Sequence, residues 1–262
     1  MPYCAVNGIR VYYEVQGEGP PMVLAHANPF DHRLWMYQIA HFSTFFKVAA
    51  VDIRAYGRSD KPAAETSLPE LAADLAGVCR QEKITQAILC GISVGGNIVL
   101  QAALDHPELC SALVMAGCSS GPSPHQTRTE GYMSRGVAGY HIQHLKHLVS
   151  SEFAATRLGD YLLRFFTDTD PRLKPEALSA LFRALERKNL TSRLGELQMP
   201  VLVLNGEFDP ARPRSIDMSR SIKGAVHRTV AASGHACCLE QPAAFDEAVS
   251  DFLKENGLWP SP

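Results

Sequence analysis

A serine flanked by glycines stands at a predicted junction between a strand and a helix, in the segment Gly91 to Gly96, whose letters are GISVGG. A serine hydroxyl is a weak nucleophile until a tight turn projects it beside a general base and backbone N–H donors. Glycines two positions before and after Ser93 let such a turn close without Cβ clashes. The motif alone is weak, and an ordinary turn is the alternative, but an apolar strand precedes it and an apolar helix follows. We therefore predict that Ser93 is a nucleophile.

A nucleophilic serine needs a base and an acid that orients the base. His235 follows the predicted strand Val226–Val230 and precedes the last predicted helix, and such loops at the carboxyl ends of strands are where a site would assemble. Asp209 comes three residues after the glycine that ends another predicted strand. We predict His235 as the general base and Asp209 as its orienting acid, with Glu207 as the local competitor. The chain order serine, acid, histidine differs from that of chymotrypsin-like and subtilisin-like proteases.

Acyl transfer also needs backbone N–H groups aimed at the developing oxyanion. The residue after the nucleophile, Val94, would supply one. The loop His26-Ala27-Asn28-Pro29 follows a predicted strand and would supply the other. Because proline has no N–H, Asn28 is the better candidate.

The elements that must position these residues alternate between short aliphatic runs and helical patterns, which is typical of parallel strands joined by crossover helices. Ser67 and Glu70 form a capping-box pair, which predicts that one helix begins at Ser67. The last is predicted from about Pro242 to Lys254. The predicted strands are Arg10–Val15, of antiparallel hairpin type, then Met22–Ala25, Val48–Val51, Ala87–Cys90, Ala112–Met115, Val201–Leu204 and Val226–Val230.

Residues 121–194 interrupt this rhythm with helical patterns over Leu158–Phe166 and Pro175–Lys188. An insertion of this length between two strands favours a small helical lid over a loop. We predict a core formed by residues 1–120 and 195–262, with the insertion as the lid. Its larger apolar residues could line a substrate pocket or form the core of the lid, and the sequence leaves both open: Tyr132, Met133, Tyr140, Phe153, Leu162, Phe165 and Phe166.

Composition limits the possible partners. The 262 residues include 46% hydrophobic and 20% charged side chains, with a formal net charge of −2, so the chain can bury a core and has no basic footprint for nucleic acid. The start of the chain has no leader-like pattern, and no apolar run approaches the roughly 20 residues that span a bilayer. Seven irregularly spaced cysteines favour buried thiols in a reducing compartment. We expect a soluble, cytoplasmic protein, monomeric or homodimeric, without a nucleic-acid or membrane partner.

A metal site is not predicted. His141, His144 and His147 are spaced three apart, but no carboxylate or cysteine stands at ligand spacing near them. Neither a metal nor an organic cofactor is expected.

Over nearly its whole length the sequence resembles the small, cofactor-free, capped members of the α/β-hydrolase superfamily. Besides the serine turn, the acid and the histidine, the segment from Asp52 to Asp60 resembles the family pattern Asp-x-Arg-Gly-x-Gly-x-Ser, and His26 to Pro29 resembles the oxyanion loop His-Gly-x-Pro. Ala27 and Ala55 depart from the pattern, since both stand where the family has glycine. If either position required a positive φ, its Cβ would be costly.

The resemblance implies an α/β-hydrolase fold, a mostly parallel twisted sheet with helices on both faces. It also implies that His26 and Asp52 brace loops and take no part in the chemistry. The expected activity is hydrolysis of a carboxylic ester or lactone of a small, fairly apolar substrate through an acyl-enzyme on Ser93. The same residues would also serve a carbon–carbon bond hydrolase or a cofactor-free perhydrolase, because the fold does not fix the leaving group. A low-turnover binding protein and a purely structural module are the remaining alternatives.

Overall fold

An eight-stranded sheet forms the centre of the described chain. The computed structural model describes residues 3–122, 129–134, 144–168 and 173–260. The strands are β1 Tyr3–Val6, β2 Ile9–Gln16, β3 Pro21–Ala25, β4 Lys47–Val51, β5 Ala87–Ile92, β6 Cys110–Ala116, β7 Val201–Gly206 and β8 Val226–Val230. Their spatial order is β1-β2-β4-β3-β5-β6-β7-β8. The predicted fold class is confirmed.

The sheet is antiparallel at one end and parallel elsewhere. β1 and β2 form a hairpin, β2 runs antiparallel to β4, and every later pair is parallel. Asn7 and Gly8 both have positive φ at the hairpin turn, as a tight two-residue turn requires. All residues of β5 and β7 are buried. Their continuous apolar character follows from being covered on both faces.

Helices flank the sheet and also form in the described part of the insertion. They are α1 Met36–Phe42, α2 Leu68–Gln81, α3 Val94–Asp105, α4 Ser151–Ala154, α5 Arg157–Asp168, α6 Pro175–Glu186, α7 Arg212–Arg220, α8 Cys237–Glu240 and α9 Pro242–Glu255. The predicted cap of α2 is present, since the Ser67 hydroxyl accepts the Glu70 N–H at 3.2 Å. The second half of the predicted capping box is replaced, because the Glu70 carboxylate binds Arg54 and Thr66.

Alternate residues of the strands supply two separate hydrophobic clusters. In β3, Val23 and Ala25 belong to the cluster that includes α2 and α3, whereas Met22 and Leu24 belong to the one that includes α1 and α9. This division follows from the two-residue period of a strand, which sends successive side chains to opposite faces.

The insertion, residues 121–194, packs onto both clusters. Leu162, Leu163 and Phe166 of α5 join the cluster of α1 and α9, while Leu178, Leu181 and Phe182 of α6 join the other. Its two ends meet, since the Leu190 N–H donates to the Ser120 carbonyl at 2.9 Å. The lid function and the domain division stay predictions.

The apolar residues proposed for the pocket or the lid core differ in exposure. Tyr132, Leu162 and Phe166 are buried, while Met133 is 53% exposed. Phe153 and Phe165 are partly buried. Tyr140 lies outside the described residues.

Five of these elements were not predicted: β1, α1, α4, α7 and α8. Helix α7 has the sequence RPRSIDMSR, and only Ser215, Met218 and Ser219 are buried in it, so it lacks an apolar stripe that a pattern could reveal. Helix α3 starts at Val94, earlier than the predicted start at Asn97.

All seven cysteines are buried and free, as predicted. Within the described ranges, no helix has both the length and the apolarity needed to cross a bilayer.

Candidate active site

Ser93 sits in a strained turn between β5 and α3. Its backbone has φ 56° and ψ −112°, a conformation that L-residues rarely adopt. The turn is tight enough that a Cβ on Gly91 would lie 2.4 Å from the Gly95 carbonyl oxygen, and one on Gly95 would lie 2.0 Å from the Ala25 carbonyl oxygen. Ser93 is the N-cap residue of α3, yet its side chain makes no capping hydrogen bond. The hydroxyl is therefore not engaged in holding the helix.

Asp209 and His235 are brought together from the loops after β7 and β8. His235 Nδ1 lies 2.8 Å from Asp209 Oδ1, and both residues are buried. Because a carboxylate can only accept, Nδ1 carries a hydrogen, and in the neutral form of the ring the lone pair is therefore on Nε2. Nε2 is buried and has no hydrogen-bond partner in the described chain, so Ser93 and His235 are not hydrogen-bonded here. Catalytic hydrogen bonds are often long or poorly aligned without substrate.

The end of β6 lies between the serine turn and the Asp209–His235 pair. The Ser93 N–H donates to the Ala116 carbonyl at 2.8 Å. A Cβ on the next residue, Gly117, would lie 2.7 Å from His235 Cε1 and 3.2 Å from Asp209 Oδ2. The serine turn therefore contacts Ala116, and the acid and histidine contact the adjacent Gly117, so both lie at the same end of β6.

A polar shell fixes the Asp209 carboxylate. Asn205 Nδ2 donates to Asp209 Oδ2 at 2.8 Å, and the Ala211 N–H donates to Oδ1 at 2.9 Å. Asn205 is itself oriented by His227, whose Nε2 lies 3.2 Å from Asn205 Oδ1. Burial would raise the pKa of Asp209, but the His235 charge and these hydrogen bonds outweigh it, so the pKa is lowered. Asp209 is therefore ionised at neutral pH.

The competing acid, Glu207, is exposed and accepts the Ala232 N–H at 2.9 Å. It makes no hydrogen bond to His235 within the described residues, because the Nδ1 partner of that ring is Asp209.

The loop after β3 is tied to the serine turn. The His26 carbonyl accepts the Gly95 N–H at 3.0 Å, and Val94 is the first residue of α3, so Asn28 and Val94 belong to segments in direct contact. Asn28 is buried, and its Oδ1 accepts from the Tyr56 and Tyr132 hydroxyls at 3.0 and 3.3 Å. Because Tyr132 comes from the insertion, the insertion contacts the predicted oxyanion loop.

His26 and Asp52 form hydrogen bonds that hold loops. His26 Nε2 accepts the Ile53 N–H at 3.0 Å, and Nδ1 lies 2.9 Å from the Ala27 carbonyl oxygen, to which it donates. Burial lowers the pKa of His26, which keeps the ring neutral. Asp52 accepts the His32 N–H at 2.8 Å and the Arg58 N–H at 2.7 Å. These contacts match the bracing roles that the resemblance implied.

The two alanines that replace family glycines differ. Ala55 has φ 76°, so its Cβ is held in the left-handed region, whereas Ala27 is not among the residues with positive φ. The predicted cost therefore falls on the segment from Asp52 to Asp60 and leaves the Ala27 position of the oxyanion loop unstrained.

Within the described residues, Asp31, His32 and Asp52 place one potential ligand atom each within 4.8 Å of one another. His32 Nδ1 is already hydrogen-bonded to Asp52 Oδ1 at 2.7 Å, and Asp31 pairs with Arg33. The hydrogen bond and the ion pair explain why these three side chains lie close together without a metal ion. Of the evenly spaced histidines, His144 is buried and His147 is exposed, while His141 lies outside the described residues.

Residues 20–242 match the family model described as alpha/beta hydrolase fold. The chain belongs to this family. Among relatives of this α/β hydrolase is a pimeloyl-[acyl-carrier protein] methyl ester esterase from Photobacterium profundum, 27% identical, with 92% of this chain and 98% of the relative covered.

Two solved structures are also similar to this α/β hydrolase. Est816, an N-acyl homoserine lactone degrading enzyme, is 28% identical, with a TM-score of 0.83 over 96% of this chain and all of that chain. The enol-lactonase from Burkholderia xenovorans is 24% identical, with a TM-score of 0.90 over 97% of this chain and all of that chain, and it supports the fold.

Sequence reasoning missed the residues of this α/β hydrolase that surround the predicted site. Gly117 and Asn205 stand at the ends of β6 and β7, next to the acid–histidine pair. The position of Asn205 just after an apolar strand run was the available signal. Gly117 is recognisable only from packing, because nothing in its sequence neighbourhood announces a close approach.

Proposed function

We propose that this protein is a serine hydrolase that cleaves a carboxylic ester or lactone through an acyl-enzyme on Ser93. The observation that carries the proposal is the Asp209–His235 hydrogen bond, with the opposite ring nitrogen unpartnered among the described residues, together with a strained serine whose hydroxyl does not cap its helix. A buried ring nitrogen without a hydrogen bond destabilises the fold, and unpaired atoms of this kind in native structures often belong to catalytic groups.

In the first half-reaction, His235 Nε2 takes the hydroxyl proton of Ser93 as the oxygen attacks the substrate carbonyl carbon. The carbonyl oxygen becomes an oxyanion, which the N–H groups of Asn28 and Val94 stabilise. His235 returns the proton to the leaving oxygen, and the carbon–oxygen bond breaks. An ester releases an alcohol, whereas a lactone keeps its new hydroxyl on the acyl chain.

In the second half-reaction, water replaces the serine as nucleophile. His235 takes a proton from the water, and hydroxide adds to the acyl carbon. The serine oxygen then leaves with that proton, so one water is consumed per bond cleaved. Asp209 stays ionised and stabilises the imidazolium in both halves. These steps use only side chains and backbone groups of this chain.

Ester and lactone substrates are supported by two relatives above 25% identity, one named a methyl ester esterase and the other a lactone-degrading enzyme. Because both substrate types share a carbonyl bonded to a leaving oxygen, one site can accept either. The insertion reaches the oxyanion loop through the Tyr132 hydroxyl, which donates to Asn28 Oδ1, and the buried ring of Tyr132 supports a small, fairly apolar substrate.

The test is labelling of the wild-type protein with a fluorophosphonate, mass mapping of the modified residue, and turnover of an ester and lactone panel. We expect the label on Ser93 and loss of turnover by about 10⁶-fold in Ser93→Ala. Product analysis distinguishes acid plus alcohol from carbon–carbon cleavage or peracid formation. Label on another residue, or equal turnover by Ser93→Ala, overturns the proposal.

A further inference from the structure

Glu240, the last residue of α8, has a buried carboxylate that binds two backbone segments at once. Oε1 accepts the Gly234 N–H at 2.7 Å, and Oε2 accepts the Ser150 N–H at 2.8 Å. Glu240 is 6% exposed. Burial raises the pKa of Glu240, and the two N–H donors and the His235 charge hold back part of that rise. The two hydrogen bonds recover part of the cost of burying a carboxylate, because charged acceptors bind N–H groups strongly.

The two segments that Glu240 joins are the histidine loop and the middle of the insertion, just before α4. Gly234 immediately precedes His235, and Ser150 immediately precedes α4. On the other side of the histidine, the Ala236 N–H donates to the Leu148 carbonyl at 2.7 Å. The residues before and after His235 are therefore both fastened, one to a side chain and one to the insertion.

The contact between these segments is close. A Cβ on Gly234 would lie 2.9 Å from the Ser150 nitrogen and 2.9 Å from the Val149 carbonyl carbon. Such an approach leaves the histidine loop little room to move while the Glu240 contacts persist.

We propose that Glu240 is a positioning residue, which fixes the His235 loop against the segment of the insertion that precedes α4, through its paired hydrogen bonds to Gly234 and Ser150. The inference rests on the proposed function, since it assigns Glu240 a role in placing the general base. Loss of the Glu240 hydrogen bonds is expected to lower kcat, because a base displaced by about 1 Å can cost up to about 100-fold in rate.

The test is Glu240→Gln. Glutamine keeps the shape but has one carbonyl oxygen, so its NH₂ faces one of the two backbone N–H donors. We expect kcat per active site, with sites counted by fluorophosphonate titration, to fall about 10-fold to 100-fold on an activated ester. KM is expected to stay within about threefold, because the substrate-binding groups are unchanged.

The matched control is Asp246→Asn. Asp246 is also buried, lies six residues further along the chain, and accepts from Gln38 Nε2 at 2.9 Å, with no hydrogen bond to residues 231–236 of the histidine loop in the described chain. Both variants lose a buried charge, so both are expected to have lower melting temperatures by circular dichroism. Only Glu240→Gln is expected to lower kcat per site.

A second variant, Glu240→Asp, serves if glutamine prevents folding. Aspartate keeps the charge but is one methylene shorter, so it cannot reach both N–H groups, and we expect a loss of at least about threefold in kcat per site. Wild-type kcat per site in Glu240→Gln or Glu240→Asp, or equal losses in Glu240→Gln and Asp246→Asn, overturns the inference. Ser93→Ala is assayed alongside, because its retention of turnover would refute the proposed function itself, whatever Glu240 does.

Discussion

Two buried histidines stand in loops that follow strands, and their ring nitrogens are used differently. In His26 both nitrogens are engaged, one accepting the Ile53 N–H and the other donating to the Ala27 carbonyl. In His235 only Nδ1 is engaged, by Asp209, and Nε2 is buried without a partner in the described chain.

The difference separates a histidine that holds a loop from one that can exchange a proton. A ring with both nitrogens satisfied by backbone groups would have to break a hydrogen bond before it could act as a base. A ring oriented from one side by a carboxylate keeps a lone pair available. Burial is common to both, so the hydrogen-bond pattern is what distinguishes them.

The largest expected effect comes from the paired substitutions His235→Ala and His26→Ala. We expect His235→Ala to lower kcat by about 10⁶-fold, because the general base is removed. His26→Ala leaves the buried Ile53 N–H without an acceptor, which is expected to cost about 1–3 kcal/mol of stability. Steady-state kinetics with active-site titration and urea unfolding measure the two effects. Comparable losses of kcat per site in both variants would break the comparison.

The buried pair of Asp52 and His32, near His26, predicts how the free energy of unfolding varies with pH. Burial opposes ionisation of Asp52, but the hydrogen bond and charge of His32 outweigh it and lower the pKa to about 2. A lowered carboxyl pKa stabilises the fold above the unfolded value of 3.8, and this part is lost as the pH falls toward 2. The shift corresponds to roughly 2 kcal/mol.

His32 contributes to the other limb of the same profile. Burial disfavours its protonation, but Asp52 outweighs that, so the pKa of His32 is raised. Its contribution is complete below the unfolded value of 6.5 and is lost as the pH rises through the folded value. Urea unfolding from pH 3 to 8 should therefore give a flatter profile for His32→Gln than for wild type. Identical profiles would mean that the pair does not couple to folding.

A smaller effect is expected for Asn205→Leu, which sharpens the comparison by testing what keeps Asp209 in place. Leucine has a similar size but no donor for Asp209 Oδ2. We expect kcat per site to fall about tenfold, with a small change in KM, because a hydrogen bond to the carboxylate is worth about 1.5 kcal/mol. A matched steady-state measurement on wild type checks it, and an unchanged kcat would show that the Ala211 N–H and His235 suffice.

The smallest effect is expected for Ala55→Gly, in the loop beside His26. Relief of the left-handed conformation gains about 1–2 kcal/mol. Loss of a buried methyl costs about 0.8 kcal/mol, and the freer glycine chain costs a further 0.5–1 kcal/mol, roughly. The free energy of unfolding should thus change by less than about 1 kcal/mol. Guanidinium unfolding measures it, and a loss above about 2 kcal/mol would mean that Ala55 is not strained.

The sequence predicted those parts of the fold whose local pattern and environment agree. Strand β5 is buried on both faces, so its sequence is a continuous aliphatic run. This run and the glycines that follow it predicted the position of the turn that holds Ser93. Helix α7 could not be read in this way, because it buries few apolar side chains and is held by packing beside β7.

In the candidate site, the proximity of Asp209 and His235 could be predicted, because loops at the carboxyl ends of neighbouring parallel strands converge. Contacts between distant segments could not. The hydrogen bonds of Glu240 join residues that are 90 and 6 positions away along the chain, and no local pattern encodes them.

We expect the seven buried, free thiols to be unreactive toward thiol reagents in the folded chain, because the reaction requires an exposed thiolate. They are spread from Cys4 in β1 to Cys237 and Cys238 in α8, the short helix after His235. Modification of a given cysteine therefore shows that the structure around that cysteine has opened. Mass spectrometry of partly modified protein would map which parts of the sheet separate first, without any introduced probe.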